Sequence, residues 1–116
     1  MKLNHRIESN DVLVLELRVA KLNAINAPVF LEAAKALTQH WRKVVLDLTG
    51  VQFIDSIGLG ALLSFLNYLK DLKAQVQLCE LSHTVSEQFK LTRLHRTFNI
   101  HNTCAVAIQG FEGLQS

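Results

Sequence analysis

Alternation of apolar and polar residues predicts several strands along the chain. Residues Asn10 and Asp11 separate the first two of these segments and form a turn signal, which predicts a hairpin whose first strand is an antiparallel edge. The third segment, Lys-Val-Val-Leu-Asp-Leu, is almost continuously apolar, as buried central strands are. The predicted strands are residues 3–7, 12–19, 43–48, 75–81 and, as a short candidate, 98–100.

Apolar residues that recur every three or four positions predict helices between these strands. Asn26 is a plausible N-cap for the first helix, because Pro28 follows in its first turn. The second helix is predicted to start near Gly58, and Ser82 caps the third. The apolar positions of the first predicted helix are Phe30, Ala33, Ala34, Leu37 and Trp41; those of the second are Leu59, Leu62, Leu63, Leu66 and Leu69, and Phe65 and Leu72 widen its apolar face; those of the third are Val85, Phe89 and Leu91. Residues 103–108 are predicted to form a short last helix.

This order of elements predicts an α/β fold. Strands that alternate with helices pair in parallel through right-handed crossovers, so we expect a small, mixed, mostly parallel sheet with an antiparallel N-terminal edge strand and about four helices. Sites in such sheets lie beyond the carboxyl ends of the parallel strands, here in segments 20–26 and 49–60. Without an internal linker, residues 1–116 are expected to form a single domain.

Composition and charge exclude several classes of function. Twelve basic and ten acidic residues are scattered along the chain and leave a net charge of +2, so no basic stripe for nucleic acid is present. The nearest basic cluster is Lys90, Arg93, His95 and Arg96, next to aromatic residues expected in the core. No apolar stretch approaches the roughly 20 residues of a membrane span, and the N-terminus lacks the apolar segment of a secretory signal, which predicts a cytoplasmic protein.

The residues that usually carry catalysis form no recognisable constellation. Cys79 and Cys104 lie in apolar surroundings far apart in sequence and are expected to be buried free thiols. The five histidines have no metal-ligand spacing. The pair Gly58 and Gly60 lacks the third glycine of a dinucleotide fingerprint, because residue 63 is leucine. We therefore expect no catalytic residue, no metal and no cofactor, and we expect the chain not to be an enzyme.

The segment around Ser56 carries the main chemical signal. Ser56 lies close to the predicted helix start, where unpaired backbone N–H groups and the positive end of the helix dipole favour an anion such as a phosphoester. Gly58 and Gly60 remove side chains from this corner, so another backbone or a partner can approach. The plainer alternative is that Ser56 is an ordinary N-cap, that Asp55 only caps or tightens the turn, and that the glycines serve packing alone.

Residues 45–60 resemble the STAS domain, the module shared by bacterial anti-sigma factor antagonists and the cytoplasmic tails of sulphate transporters. The likeness rests on a buried strand ending in Asp-Leu, followed by Gly-Val-x-Phe-Ile-Asp-Ser-x-Gly-Leu-Gly. The order of elements along the whole chain is similar too. Thr92-Arg93-Leu94 resembles the corner that follows the third helix of the family.

The resemblance implies a partner-switching regulator. In stand-alone members, the serine that follows the aspartate, here Ser56, is phosphorylated by an anti-sigma factor that is also a serine protein kinase. The unphosphorylated form binds that partner, phosphorylation releases it, and a protein serine phosphatase restores the complex. Neither nucleic-acid binding nor direct membrane insertion is expected. The implied partner-binding residues are Asn23, Asp55, Ser56, Ile57, Gly58, Leu59 and Gly60.

Two departures from the family pattern leave other readings open. The loop that commonly reads Gly-x-Leu-Asp is Ala20-Lys21-Leu22-Asn23 here, so an amide replaces the acid. Ile57 stands where many relatives have serine, threonine or alanine. The first alternative is a STAS subunit of another assembly, such as an ABC lipid-transport complex, that binds its partner without phosphorylation. The second is a small enzyme or nucleotide-binding protein on the same sheet.

Overall fold

The computed structural model describes residues 3–9 and 11–113. Strands and helices alternate along most of this length, as the sequence pattern predicts. The strands are β1 (Leu3–Glu8), β2 (Val12–Leu17), β3 (Lys21–Leu22), β4 (Lys43–Asp47), β5 (Phe53–Ile54), β6 (Gln75–Cys79) and β7 (Ile100–His101); the helices are α1 (Ala27–Thr38), α2 (Ser56–Asp71), α3 (His83–Leu91) and α4 (Cys104–Gly113), with a 3-10 turn at Leu94–Arg96.

Five of the strands form one mostly parallel sheet in the order β1-β2-β4-β6-β7. Only the β1–β2 pair is antiparallel, which confirms the predicted fold class and edge strand. Asp11 takes a positive φ of 59° in the connecting turn, while Asn10, the other half of the predicted turn signal, lies outside the described residues. The central strands β2 and β4 are buried on both faces, which explains their nearly continuous apolar sequence.

Helices cover both faces of this sheet. On one face α1, α2 and α3 enclose the larger core, where the rings of Phe30 and Phe65 meet edge to face with centroids 5.9 Å apart. On the other face α4 buries Phe111 against Val14 and Val45 of the central strands. None of the helices in the described ranges is both long and apolar enough to cross a bilayer.

The structure differs from the sequence predictions in short elements and helix ends. The segments expected as loops contain β3 and β5, which pair in parallel as a separate two-stranded sheet. Helix α2 begins at Ser56 rather than near Gly58, and α4 continues five residues beyond the predicted end. Leu91, a candidate for the buried face of α3, is exposed, because the helix ends there and the chain turns away through Arg93 at a φ of 61°.

Candidate functional site

The region around Ser56 is held by hydrogen bonds from Asp55. Asp55 has extended backbone and is the N-cap of α2, where its Oδ1 accepts the N–H of Gly58 at 2.8 Å. Its Oδ2 accepts the N–H of Ala24 at 3.1 Å, so the same carboxylate ties the start of α2 to the loop before α1. The reading of Asp55 as a cap is therefore confirmed, and a tertiary contact adds to it.

Ser56 is the first residue of α2 and not its cap, so the N-cap reading of this serine is wrong. Its side chain is exposed, and none of the described residues hydrogen bonds to the hydroxyl. The first backbone N–H groups of any helix lack partners within the helix, and Asp55 satisfies only that of Gly58 by its side chain. Ser56 therefore combines a free hydroxyl with a local environment that tolerates an anion.

Gly58 and Gly60 have different surroundings although both lie in the first turns of α2. A Cβ placed on Gly58 would lie 2.4 Å from the carbonyl oxygen of Leu22 and 2.8 Å from Cγ2 of Ile54. That carbonyl also accepts the N–H of Asp55 at 3.0 Å, so the backbone of β3 lies directly against the helix start. A Cβ on Gly60 would meet no described atom within 4 Å. Gly58 thus permits internal packing, whereas Gly60 leaves an open surface.

The loop before α1 is stabilised by two asparagines that bond to each other. Oδ1 of Asn23 accepts the N–H of Ile25 at 3.0 Å and of Asn26 at 3.3 Å, while Oδ1 of Asn26 accepts the N–H of Asn23 at 2.9 Å. Asn26 is the N-cap of α1, as predicted, with Pro28 in the first turn, but its side chain bonds to Asn23 and makes no hydrogen bond to the helix. The helical bonding begins earlier, because the N–H of Ala27 already donates to the carbonyl of Asn23.

Exposed apolar side chains lie on the segments that adjoin Ser56: Ile57 follows it directly, Phe53 lies in β5, and Ile25 follows Ala24, whose N–H donates to Asp55. Ile25 is 87% exposed, Ile57 54% and Phe53 44%, although these residues come from three separate segments. Ile57 also lines a groove of about 250 Å³ between α1 and α2. The remaining groove residues are Ala27, Pro28, Leu31, Ala61 and Ser64. Single exposed apolar residues are ordinary, but a group beside a groove is typical of protein interaction sites.

Gln88 of α3 also supports the site, a role that the sequence pattern does not predict. Its side-chain amide donates to the carbonyl of Ile54 at 2.6 Å, and its oxygen accepts the N–H of the same residue at 3.1 Å. These two bonds mimic a neighbouring strand and fix β5 immediately before Asp55. A single glutamine in an amphipathic helix has no pattern that would reveal this role.

The two cysteines lie close together in the structure, although they are far apart in sequence. Cys79 ends β6 and is fully buried, whereas Cys104 begins α4 and is only half-buried. Burial raises the pKa of the Cys79 thiol, and its neighbour Cys104 adds to the effect. Burial also raises the pKa of Cys104, and the guanidinium of Arg6, whose Nη2 donates to Sγ at 3.3 Å, offsets part of that rise.

The remaining candidates of the sequence analysis have surface or local roles. Lys90 lies 3.5 Å from Glu87 in an exposed ion pair, and the rest of its basic cluster is exposed. Nε2 of His101 lies 2.6 Å from Oε1 of Gln77, and the ring of His95 contacts the carbonyl of Phe89. Leu59 is half-buried against the larger core.

Comparison with known proteins gives a consistent family signal. The sequence model of the STAS domain matches residues 6–107. A protein of Bordetella bronchiseptica named as the anti-sigma factor antagonist BtrV is 31% identical over 81 residues, which is 70% of this chain and 70% of that protein.

Solved structures agree with the observed fold. The crystal structure of a Thermotoga maritima protein described as an anti-sigma factor antagonist superposes with a TM-score of 0.80 at 26% identity, covering 93% of this chain and 92% of that one. The antagonist SpoIIAA in its unphosphorylated form superposes with a TM-score of 0.69 at 16% identity, covering 97% and 99%. Its phosphorylated form from Bacillus gives 0.68, also at 16% identity, covering 95% and 99%. At that identity, SpoIIAA supports the fold alone.

Proposed function

This chain belongs to the STAS domain family, and we propose that it is a partner-switching regulator of the anti-sigma factor antagonist type, controlled at Ser56. In the proposed cycle the unphosphorylated chain binds an anti-sigma factor that is also a serine kinase, and phosphorylation of Ser56 releases it. The observation that carries the proposal is the exposed hydroxyl on the first residue of α2, with no described hydrogen-bond partner.

The surroundings of Ser56 suit a reversible phosphate. A phosphate adds a charge of about −1.5 to −2, and the N-terminal end of α2 stabilises that charge, so the fold is retained. The same charge stands next to the exposed side chain of Ile57, where a partner would otherwise bury apolar surface. Phosphorylation therefore adds a desolvation cost to the complex without a corresponding cost in the free chain.

The proposed contact surface combines direct contacts with positioning residues. Ile57 and Gly60 face the partner, the first with an exposed side chain and the second with open space above its backbone. Asp55 and Asn23 act through the loop before α1, which their side-chain oxygens hold in place. Gly58 acts through its close packing on β3. Of the predicted contacts, Leu59 contributes least, since it packs largely inward.

The proposed cycle has two protein partners and no chemistry of its own. The kinase partner supplies ATP chemistry, a protein serine phosphatase removes the phosphate, and this chain provides only the acceptor hydroxyl. Because the kinase uses ATP, we expect the cycle to take place in the cytoplasm. Asn23 in place of the family acid removes one negative charge from the loop beside Asp55, so we expect kinase recognition to differ in detail from that of relatives with the acid.

The decisive experiment uses the chain with its kinase partner, identified by pull-down. After incubation with ATP and Mg²⁺, intact-mass analysis is expected to show one added phosphate on the wild type and on Ser9→Ala, an exposed serine outside the proposed contact surface, but none on Ser56→Ala. Ser56→Asp is expected to weaken the complex on the order of a hundredfold, which corresponds to a few kcal/mol. Asn67→Asp, which adds the same charge at an exposed position of the same helix, is expected to bind as the wild type does.

Two results would contradict the proposed switch. One is a wild-type chain that stays unmodified in the presence of its natural kinase partner. The other is a Ser56→Asp variant that binds as tightly as the wild type. In the second case, binding independent of phosphorylation, as in an ABC lipid-transport assembly, would replace the switch.

A further inference from the structure

Three metal-ligand side chains converge beneath α4 and have no part in the proposed switch. The ligand atoms of Asp47, Cys79 and Cys104 all lie within 4.8 Å of one another. Sequence spacing predicted no metal site here, because these residues are far apart along the chain. We propose that Asp47, Cys79 and Cys104 form a binding site for a thiophilic divalent cation of the zinc type.

The fold itself brings the three side chains together. Asp47 and Cys79 are the last residues of β4 and β6 and are direct partners in the parallel register, so their side chains share one face of the sheet. Cys104 is the first residue of α4, the helix that packs on that face. The cluster therefore depends on strand register and helix docking, two of the most strongly determined features of an α/β fold.

The spacing of the three ligand atoms is close to what zinc requires. With zinc–sulfur bonds of about 2.3 Å, two sulfur ligands of a tetrahedral ion lie about 3.8 Å apart. No two ligand atoms lie more than about 1 Å beyond that sulfur–sulfur distance, so the cluster needs only a small contraction to hold the ion. Two thiolates and a carboxylate suit zinc better than magnesium or calcium, which prefer oxygen ligands alone. Water completes the fourth position, and half-buried Cys104 provides the route of entry.

Neighbouring groups are placed as the second shell of a metal site. Oδ1 of Asp47 accepts the hydroxyl of Thr49 at 2.6 Å and its N–H at 2.9 Å, which orients the carboxylate. Nη2 of Arg6 donates to Sγ of Cys104. Two thiolates and one carboxylate carry three negative charges, of which a divalent cation neutralises two, while Arg6, which also pairs with Glu8 and Glu16, lies beside the third. Binding forms two metal–sulfur bonds and releases the two thiol protons to solvent, with no change in oxidation state.

Cobalt(II) is the probe that tests the site, because it binds like zinc and absorbs light. The full chain is treated with a chelator and a phosphine reductant, freed of chelator, and titrated with Co²⁺. We expect one Co²⁺ per chain, with a thiolate-to-cobalt charge-transfer band in the near ultraviolet and the visible bands of tetrahedral cobalt. Zn²⁺ is expected to displace the cobalt and bleach both sets of bands.

Three variants separate this site from adventitious binding. Cys104→Ser is expected to lose much of the charge-transfer band and to keep native circular dichroism, because it exchanges only one atom of a half-buried side chain. Asp47→Asn is expected to weaken binding about tenfold or more, since even second-shell changes cost that much. Asp71→Asn, an exposed carboxylate at the end of α2, is expected to bind as the wild type does.

The proposal is overturned if the reduced wild type gives no sulfur charge-transfer band at one equivalent of Co²⁺. It is overturned equally if Cys104→Ser and Asp47→Asn, checked for native circular dichroism, bind cobalt as the wild type does. A thiol pair that only forms a disulfide would lose two hydrogens on treatment with diamide yet give no cobalt band in the reduced state, which also contradicts the proposal. Ser56→Ala is expected to bind cobalt normally, so this test is independent of the proposed switch.

Discussion

The two glycines of α2 allow a matched test of how the site is built. Gly58→Ala and Gly60→Ala make the same chemical change two residues apart in one helix. In a helix interior, alanine is more stable than glycine by about 0.5–1 kcal/mol, so propensity favours both variants. The two differ in what the new methyl group meets, since only at Gly58 does it collide with backbone.

The collision at Gly58 sets the magnitude of the effect. The methyl carbon would stand 2.4 Å from the Leu22 carbonyl oxygen, so β3 must retreat by about 1 Å to reach ordinary contact. That movement strains the 3.0 Å hydrogen bond from Asp55 to the same oxygen. Overpacking costs about 1–3 kcal/mol, and a weakened hydrogen bond about 1 kcal/mol more. We expect Gly58→Ala to lose about 2 kcal/mol of unfolding free energy and Gly60→Ala to gain up to about 1 kcal/mol.

Urea unfolding followed by circular dichroism measures both variants against the wild type. With a typical slope of about 2 kcal/mol per molar urea, the two midpoints should lie more than about 1 M apart, on opposite sides of the wild type. Equal midpoints for the two variants would refute the reasoning, because propensity alone would then explain both. A lower midpoint for Gly60→Ala would show that its surroundings are not open.

Other contacts around the site lead to further expectations. Asp55→Ala removes a cap and a tertiary hydrogen bond, so it should lower the free energy of unfolding in urea by about 2 kcal/mol. Ser82→Ala removes only the cap of α3 and should lower it by about 1 kcal/mol. Equal losses would mean that the bond from Asp55 to the loop contributes nothing. Gln88→Ala leaves both backbone groups of Ile54 without their partner, so amide exchange at residues 54 and 55 should accelerate more than tenfold, while unchanged exchange would contradict the role assigned to Gln88.

The sequence predicts most of the large elements because they have long apolar patterns. In β4, which is buried on both faces, and on the leucine-rich face of α2, enough apolar residues follow one another at strand or helix spacing to identify the element. The predicted edge containing Ser56 follows from strand order alone, since loops after parallel strands gather at one end of a sheet.

The features that the sequence did not predict depend on contacts between distant segments. Strands β3 and β5 have two residues each, too few to show any period, and they form only because each supplies the other's hydrogen bonds. Asn26 is the N-cap that residue type predicts, but its side chain bonds to Asn23 and Lys21 and not to the helix, a pairing that residue type alone does not reveal. The cysteine pair requires knowledge of the register between β4 and β6 and of where α4 docks.

The hydrogen bond between Asp55 and Ala24 joins segments that lie 31 positions apart in sequence. Together with the β3–β5 pairing, it makes the surface around Ser56 a discontinuous epitope, assembled from the loop before α1, from β5 and from the start of α2. A linear peptide covering residues 50–62 would carry the serine without the rest of that epitope. Any enzyme or antibody that reads this surface therefore recognises the folded chain, and screens based on peptide arrays would miss it.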